Sequence, residues 1–284
     1  MDKHLKRIRI MDTMVLYLGC LILTLLLNTF LTPVIGVFAR MISMSAVIAL
    51  VLVSTKRTGQ KFSAVFPVKE YKIRSALGTA TVLSGTLLLA VPFVLLFHII
   101  APNFAVTGYH IVDLSPSGAK YLWVCLLVLL TAAANTMLFD GYLHQGLKGI
   151  QNKTARFLLI PLLYAVFFGD LYVFLPLFIM EMGIRFVREQ TQSIKLPFIM
   201  HLFSSSGAFA LLQLSAKGSS FIGEAEGALN IIGMAMIFIG VAALLLWASL
   251  SLFDKKNVLT PFGKLMTVVL FIIFLAIGSG LTSL

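Results

Sequence analysis

Charge is what this sequence has least of. Charged residues make up 12% of its 284 positions, and only 11 of those are acidic. An ordinary water-soluble chain carries about a quarter. With 59% hydrophobic residues and a mean hydropathy of +1.00, a soluble domain of this length is excluded. Cysteine is nearly absent too. The two present, Cys20 and Cys125, each fall inside an apolar run. That excludes a disulfide framework and leads us to expect buried free thiols. The common signatures of soluble catalysis are missing as well: no Walker-type loop, no Gly-x-Gly-x-x-Gly opening a helix, no His-Glu-x-x-His and no Gly-x-Ser-x-Gly. No cofactor is expected on these grounds.

What is present is a series of long apolar runs. They cover approximately 14–31, 34–53, 75–100, 121–143, 157–170, 172–187, 196–213, 229–252 and 265–282. A helix needs about 20 apolar residues to cross a bilayer core. The expected fold is therefore all-α: a polytopic transmembrane helical bundle of eight or nine spans, forming one integral membrane domain over 1–284. The first run follows a basic N-terminus, as a signal peptide would. It is too long for a signal h-region and lacks a small-x-small cleavage site, so it is expected to remain as a span.

Basic residues set the orientation. The chain has 22 Lys and Arg, for a formal charge of +11. In a soluble protein that excess suggests nucleic acid. Here the charges cluster in 1–9, 54–74, 148–156, 185–195 and 255–264, on alternate connections between runs. Only Lys120 and Lys217 fall on the opposite connections, while Arg40 lies within the second run. This bias places the N-terminus in the cytoplasm, and no nucleic-acid partner is expected. The basic stretch 54–74 is interleaved with Phe62, Val65, Phe66 and Tyr71. Two expectations stand side by side for it: contact with the anionic inner leaflet, or a solvated loop.

Polar groups at membrane depth are few, and they face the bundle interior or a functional cavity. They are Asn135, Asp140, Asp170, Glu181 and His201, with His144, Arg185 and Ser204–Ser206 around them. Helical spacing puts Thr136, Asp140 and His144 on one face, and does the same for Glu181 with Arg185 and for His201 with Ser205. An intrahelical ion pair accounts for Glu181 and Arg185 most simply.

Several of these segments are similar to the motifs of a known family. Asn135-Thr136-Met137-Leu138-Phe139-Asp140-Gly141-Tyr142-Leu143 resembles Glu-Glu-Leu-Leu-Phe-Arg-Gly-Tyr-Leu of the CPBP family, also called Abi or CAAX prenyl endopeptidase type 2-like. Leu163 to Asp170 stands where the family's Phe-x-x-x-His motif would be. Met182 to Ile194 is similar to its Gly-containing helix and Arg-x-x-Thr-x-Ser turn, and Pro197 to His201 to the third motif. The likeness covers about 120–210, the expected core. It implies an intramembrane protease fold in a bacterial plasma membrane, and a family associated with bacteriocin self-protection as well as proteolysis. In the family, the first-motif Glu activates water, while the His residues and an Asn position groups and stabilise the oxyanion.

The residues that carry that chemistry are replaced. Asn135 and Thr136 stand for the two Glu, Asp140 for the Arg, Asp170 for the second-motif His and Ser205 for the Asn; His201 alone remains. Neither Asn nor Thr takes up a proton near neutral pH, so neither serves as a general base. The expected function is a non-catalytic membrane scaffold or regulator, a pseudoprotease that binds another membrane or cell-envelope protein. The alternative is an active intramembrane endopeptidase with an altered site. It would use Asp140 and Asp170 as a carboxylate pair, or Asp140, His144, Asp170 and His201 as ligands of a water-activating metal. A third reading is an ion-coupled transporter through Asp170, Glu181 and His201.

Overall fold

The computed structural model describes residues 8–100, 118–168, 171–216, 228–253 and 261–282, with no strand among them. Its helices in chain order are α1 Ile10–Ile35, α2 Val37–Arg57, the single turn α3 Phe62–Val65 and α4 Ile73–Ile100. Next comes α5 Gly118–Asn135, which continues into a π-helical stretch Thr136–Leu143, the short α6 His144–Gly146 and a 3-10 turn Leu147–Gly149. The chain then forms α7 Lys153–Phe168, α8 Leu171–Thr191, α9 Lys195–Ala216, α10 Ala228–Leu252 and α11 Pro261–Thr282. Each of the nine expected runs overlaps these helices, with 121–143 covering both α5 and the π-helical stretch and positions 169–170 of the fifth run lying outside the described residues.

This is a polytopic helical membrane protein. Among the described residues, six helices are long and apolar enough to cross a bilayer: α1, α2, α4, the α5–π continuation, α10 and α11. α7 has 16 residues and spans about 24 Å, short of a hydrocarbon core of about 30 Å. α8 carries Glu181, Arg185, Arg188 and Glu189, and α9 carries His201 and three serines.

The helices fall into two compact units. The first comprises Met1–Glu70, His110–Ile160 and Gln192–Phe209; the second comprises Tyr71–Tyr109, Pro161–Thr191 and Ala210–Leu284. In the first unit, α1 and α2 pack against each other across a one-residue link. That link, Gly36, has φ of 55°, a left-handed value that side chains resist, and its N–H donates to Thr32 O at 2.9 Å. The packing face of α2 is a four-residue repeat of small or β-branched residues. Ala39, Ser43, Val47, Val51 and Thr55 are all buried. Small side chains allow close helix approach where the hydrophobic effect gives no preference between protein and lipid. Ser43 Oγ adds a bond to Asn28 Oδ1 at 3.1 Å across the pair. α1 buries the matching face of Thr13, Leu16, Tyr17, Cys20 and Thr24.

In the second unit α4 packs against α8 and α10, and α10 packs against α11. Glycines set these contacts. Gly183 of α8 lies against Val82 and Thr86 of α4, and Gly85 of α4 against Leu246 of α10. α10 and α11 come closest at Gly233 and Gly278, where a Cβ on either would meet the other's carbonyl oxygen at 2.7 or 2.6 Å.

The expectation of two buried thiols is half right. Cys20 is buried, but Cys125 is exposed on α5. An apolar run identifies a span without telling its core-facing side from its lipid-facing side, because both are hydrophobic.

The Gly278 contact is testable. Replacement by Val drives two methyl groups into the backbone of α10, where overpacking costs about 1–3 kcal/mol. Gly278→Val should lower the unfolding midpoint in detergent, whereas Gly280→Val, with nothing within 4 Å of its Cβ position, should leave it nearly unchanged.

Candidate functional site

The site begins where α5 changes its winding. From Thr136 to Leu143 the hydrogen bonds run i→i+5, a rare pattern that is frequent at functional positions. Asn135, at the junction, is buried, and so are Thr136 and every residue from Leu138 to Leu143. Thr136 Oγ1 donates to Ala132 O at 2.8 Å, so its hydroxyl is engaged within its own helix. Tyr17 of α1 meets Phe139 edge-on, with ring centroids 6.4 Å apart.

Asp140 lies at the centre of this stretch with no exposed surface. His201, two turns into α9, is equally buried. The two meet: His201 Nε2 lies 3.1 Å from Asp140 Oδ2. An imidazole protonated at Nε2 donates to the carboxylate oxygen, the tautomer that suits this contact. A carboxylate withdrawn from water is expensive unless paired and hydrogen-bonded, and this contact is part of what keeps it there.

A third segment fastens both sides of the pair. Residues 61–70 leave the end of α2 and cross the π-helix. Gly141, next to Asp140, lies so close to Phe66 that a Cβ there would overlap the phenyl ring. Gln145 Nε2 donates to Ala64 O at 2.7 Å. On the α9 side, Ile194 N–H donates to Pro67 O at 3.0 Å. Lys69 N–H donates to Ser193 Oγ at 3.1 Å, and Ser193 Oγ lies 3.3 Å from Lys69 O. The turn before α9 includes Gln192 at φ 51°, a left-handed conformation unusual for a residue with a side chain. The two expectations for 54–74 were a leaflet contact or a solvated loop. Both missed its inner face, where Val65 and Phe66 are buried.

The other site residues fall as follows. His144 is buried on α6, one turn beyond Asp140, so Thr136, Asp140 and His144 share a buried face as their spacing suggests. Ser205 is half-buried on α9, and Ser204 Oγ donates to His201 O at 3.1 Å. Asp170 lies outside the described residues. In the second unit, Glu181, Arg185 and Arg188 of α8 are all buried. Arg185 Nη2 pairs with Glu189 Oε1, one turn further on, at 2.9 Å. Sequence spacing grouped Asp140 with His144, and His201 with Ser205. Spacing alone did not join Asp140 to His201, 61 residues on; the family likeness did, by placing both in one metal-ligand set, and nothing indicated that Phe66 would seat on Gly141. A phenylalanine pair, Phe62 and Phe66, inside a basic segment was the one available signal.

Comparison with known families agrees with the motif likeness. The profile of a family described as Type II CAAX prenyl endopeptidase Rce1-like matches residues 117–207. Over this stretch, about a third of its length, the chain is similar to that family. The match contains the π-helix, Asp140, the turn at 192–194 and His201. No curated protein and no solved structure gives a match.

Removing one partner of a buried hydrogen bond leaves the other unsatisfied and costs about 1–3 kcal/mol. Asp140→Ala and His201→Ala should each destabilise the protein strongly. The double variant should cost less than the sum of the two. A double-mutant cycle of denaturation midpoints in detergent checks this, and additive effects would mean the contact carries no coupling.

Proposed function

We propose that this CAAX-protease-like membrane protein is non-catalytic and acts in a bacterial plasma membrane as a scaffold or regulator, holding another membrane or cell-envelope protein. One observation carries the reading: the carboxylate at the first motif, Asp140, is bonded to the remaining family histidine, His201, and both are fully buried. In the family pattern that position holds an Arg, and the general base lies one helical turn earlier. Here the earlier positions are Asn135 and Thr136, and the Thr136 hydroxyl is engaged with Ala132. A site with no base at the base position, and with its acid bonded to its histidine, joins two helices rather than activating water.

The bond also supports a second reading. A carboxylate hydrogen-bonded to an imidazole is the base–orienter arrangement of many hydrolases, with His201 as base and Asp140 as orienter. Under it the chain is an intramembrane endopeptidase with a rebuilt site.

The readings separate on one pair of substitutions. Asp140→Asn with His201→Gln keeps polar groups that can hydrogen-bond but removes both the carboxylate and the imidazole. On the scaffold reading, purified wild type in proteoliposomes leaves a farnesylated Cys-a-a-X peptide intact. The double variant, at equal membrane level, rescues a deletion strain and cross-links to the same partners. Cleavage by wild type that the double variant loses would overturn the proposal in favour of the endopeptidase.

A further inference from the structure

The segment 61–70 has an outer face that nothing above uses. Its inner face is fastened to the π-helix through Phe66 and Ala64, and to the turn before α9 through Pro67 and Lys69. Its outer face exposes Lys61, Phe62, Val68 and Lys69, with Phe62 55% and Val68 61% exposed. Lys56 and Arg57, in the last turn of α2, are exposed as well. We propose that this strap is a docking surface for anionic lipid headgroups, and that the docked strap holds the π-helix and α9 together around Asp140 and His201.

Three features of the structure single out a lipid surface. The first is position. α2 is a candidate span that ends at Arg57, and Lys61 follows four residues later, a reach of at most about 14 Å in extended chain. The strap is therefore held at the membrane boundary by its own covalent connection. The second is charge. Four exposed cations, in Lys56, Arg57, Lys61 and Lys69, stand against the single acid Glu70 on the same stretch. Juxtamembrane basic clusters are drawn to anionic leaflets, and long Lys and Arg stems reach headgroups from a span's end. The third is the apolar pair between them. Phe62 and Val68 sit among cations as they do in interfacial segments that insert side chains below the headgroups.

The mechanical link follows from the inner face. Phe62 and Phe66 stack at 4.5 Å between ring centroids, one ring outward and the other against Gly141. A strap lifted from the headgroups pulls on Phe66 and on the Pro67 and Lys69 bonds. Those contacts join the two elements that present Asp140 and His201. The inference stands whether the pair is a structural bond or a rebuilt catalytic one.

The test uses the full chain in nanodiscs of phosphatidylcholine, with or without phosphatidylglycerol. Phe62→Trp places a fluorophore on the strap, and wild type supplies the background from Trp123 and Trp247. Val68→Trp repeats the measurement in case the first variant perturbs the stack. Brominated phosphatidylglycerol should quench the strap tryptophan severalfold more than brominated phosphatidylcholine at the same mole fraction. Lys61→Glu with Lys69→Glu should abolish the difference. Amide exchange over 136–143 and 195–201 should quicken severalfold in phosphatidylcholine alone and in the charge-reversed protein. Equal quenching by both lipids, or none by either, would overturn the docking surface and leave a solvated loop or a protein-facing one. A lipid preference with unchanged exchange would overturn the link to the pair.

Discussion

A carboxylate and an imidazole with no access to water depend on contacts made inside the protein. A buried carboxylate needs partners within the protein, so the placement of Asp140 against His201 is a constraint on the backbone as much as a bond. It sets the rotation of α9 relative to the π-helix. The Ser193 and Ile194 contacts set the height at which α9 begins. The segment 61–70 then has a defined course, because Phe66 fits only where Gly141 leaves room.

The π-helix belongs to the same set of requirements. Changing from i→i+4 to i→i+5 bonding widens the helix locally and alters the direction in which each side chain leaves it. Between Thr136 and Leu143, that stretch presents Asp140 toward His201 and Phe139 toward Tyr17. The neighbouring hairpin of α1 and α2 follows a simpler rule. Its four-residue repeat of Ala39, Ser43, Val47, Val51 and Thr55 brings backbones close with little side-chain volume between them. Small residues make the packing of the helices, and the few polar ones make its register.

Much of this was legible beforehand. Run length and hydropathy located every long helix, since a membrane span is specified by composition over about 20 residues. The motif order marked the stretch 117–207 that the family profile also matches. Contacts that depend on three-dimensional proximity were not legible from periodicity, and only the family likeness put Asp140 and His201 in one site. Asp140 and His201 are joined across 61 residues, and no periodicity reports a pairing of that kind. Phe66 read as an interfacial aromatic because its neighbours are lysines, yet it is buried. The exposed thiol of Cys125 was missed for the opposite reason: on a span, lipid-facing and core-facing positions have the same composition.

The replacements at the motif have a physical logic of their own. An Arg at position 140 beside His201 would set a donor-only side chain against the imidazole. Asp at that position instead accepts the imidazole's hydrogen bond. A bundle that merely needed its centre filled would be served as well or better by apolar side chains. Replacing both partners of a buried polar pair by apolar groups of the same shape is often nearly neutral or stabilising. What a polar pair adds is direction: it is satisfied in one relative arrangement of the two helices and unsatisfied in all others. Leucines there would tolerate a slide of α9 along the π-helix, and Asp140 with His201 does not. On the scaffold reading proposed above, a defined lateral surface gains from that uniqueness even when the pair contributes little net stability.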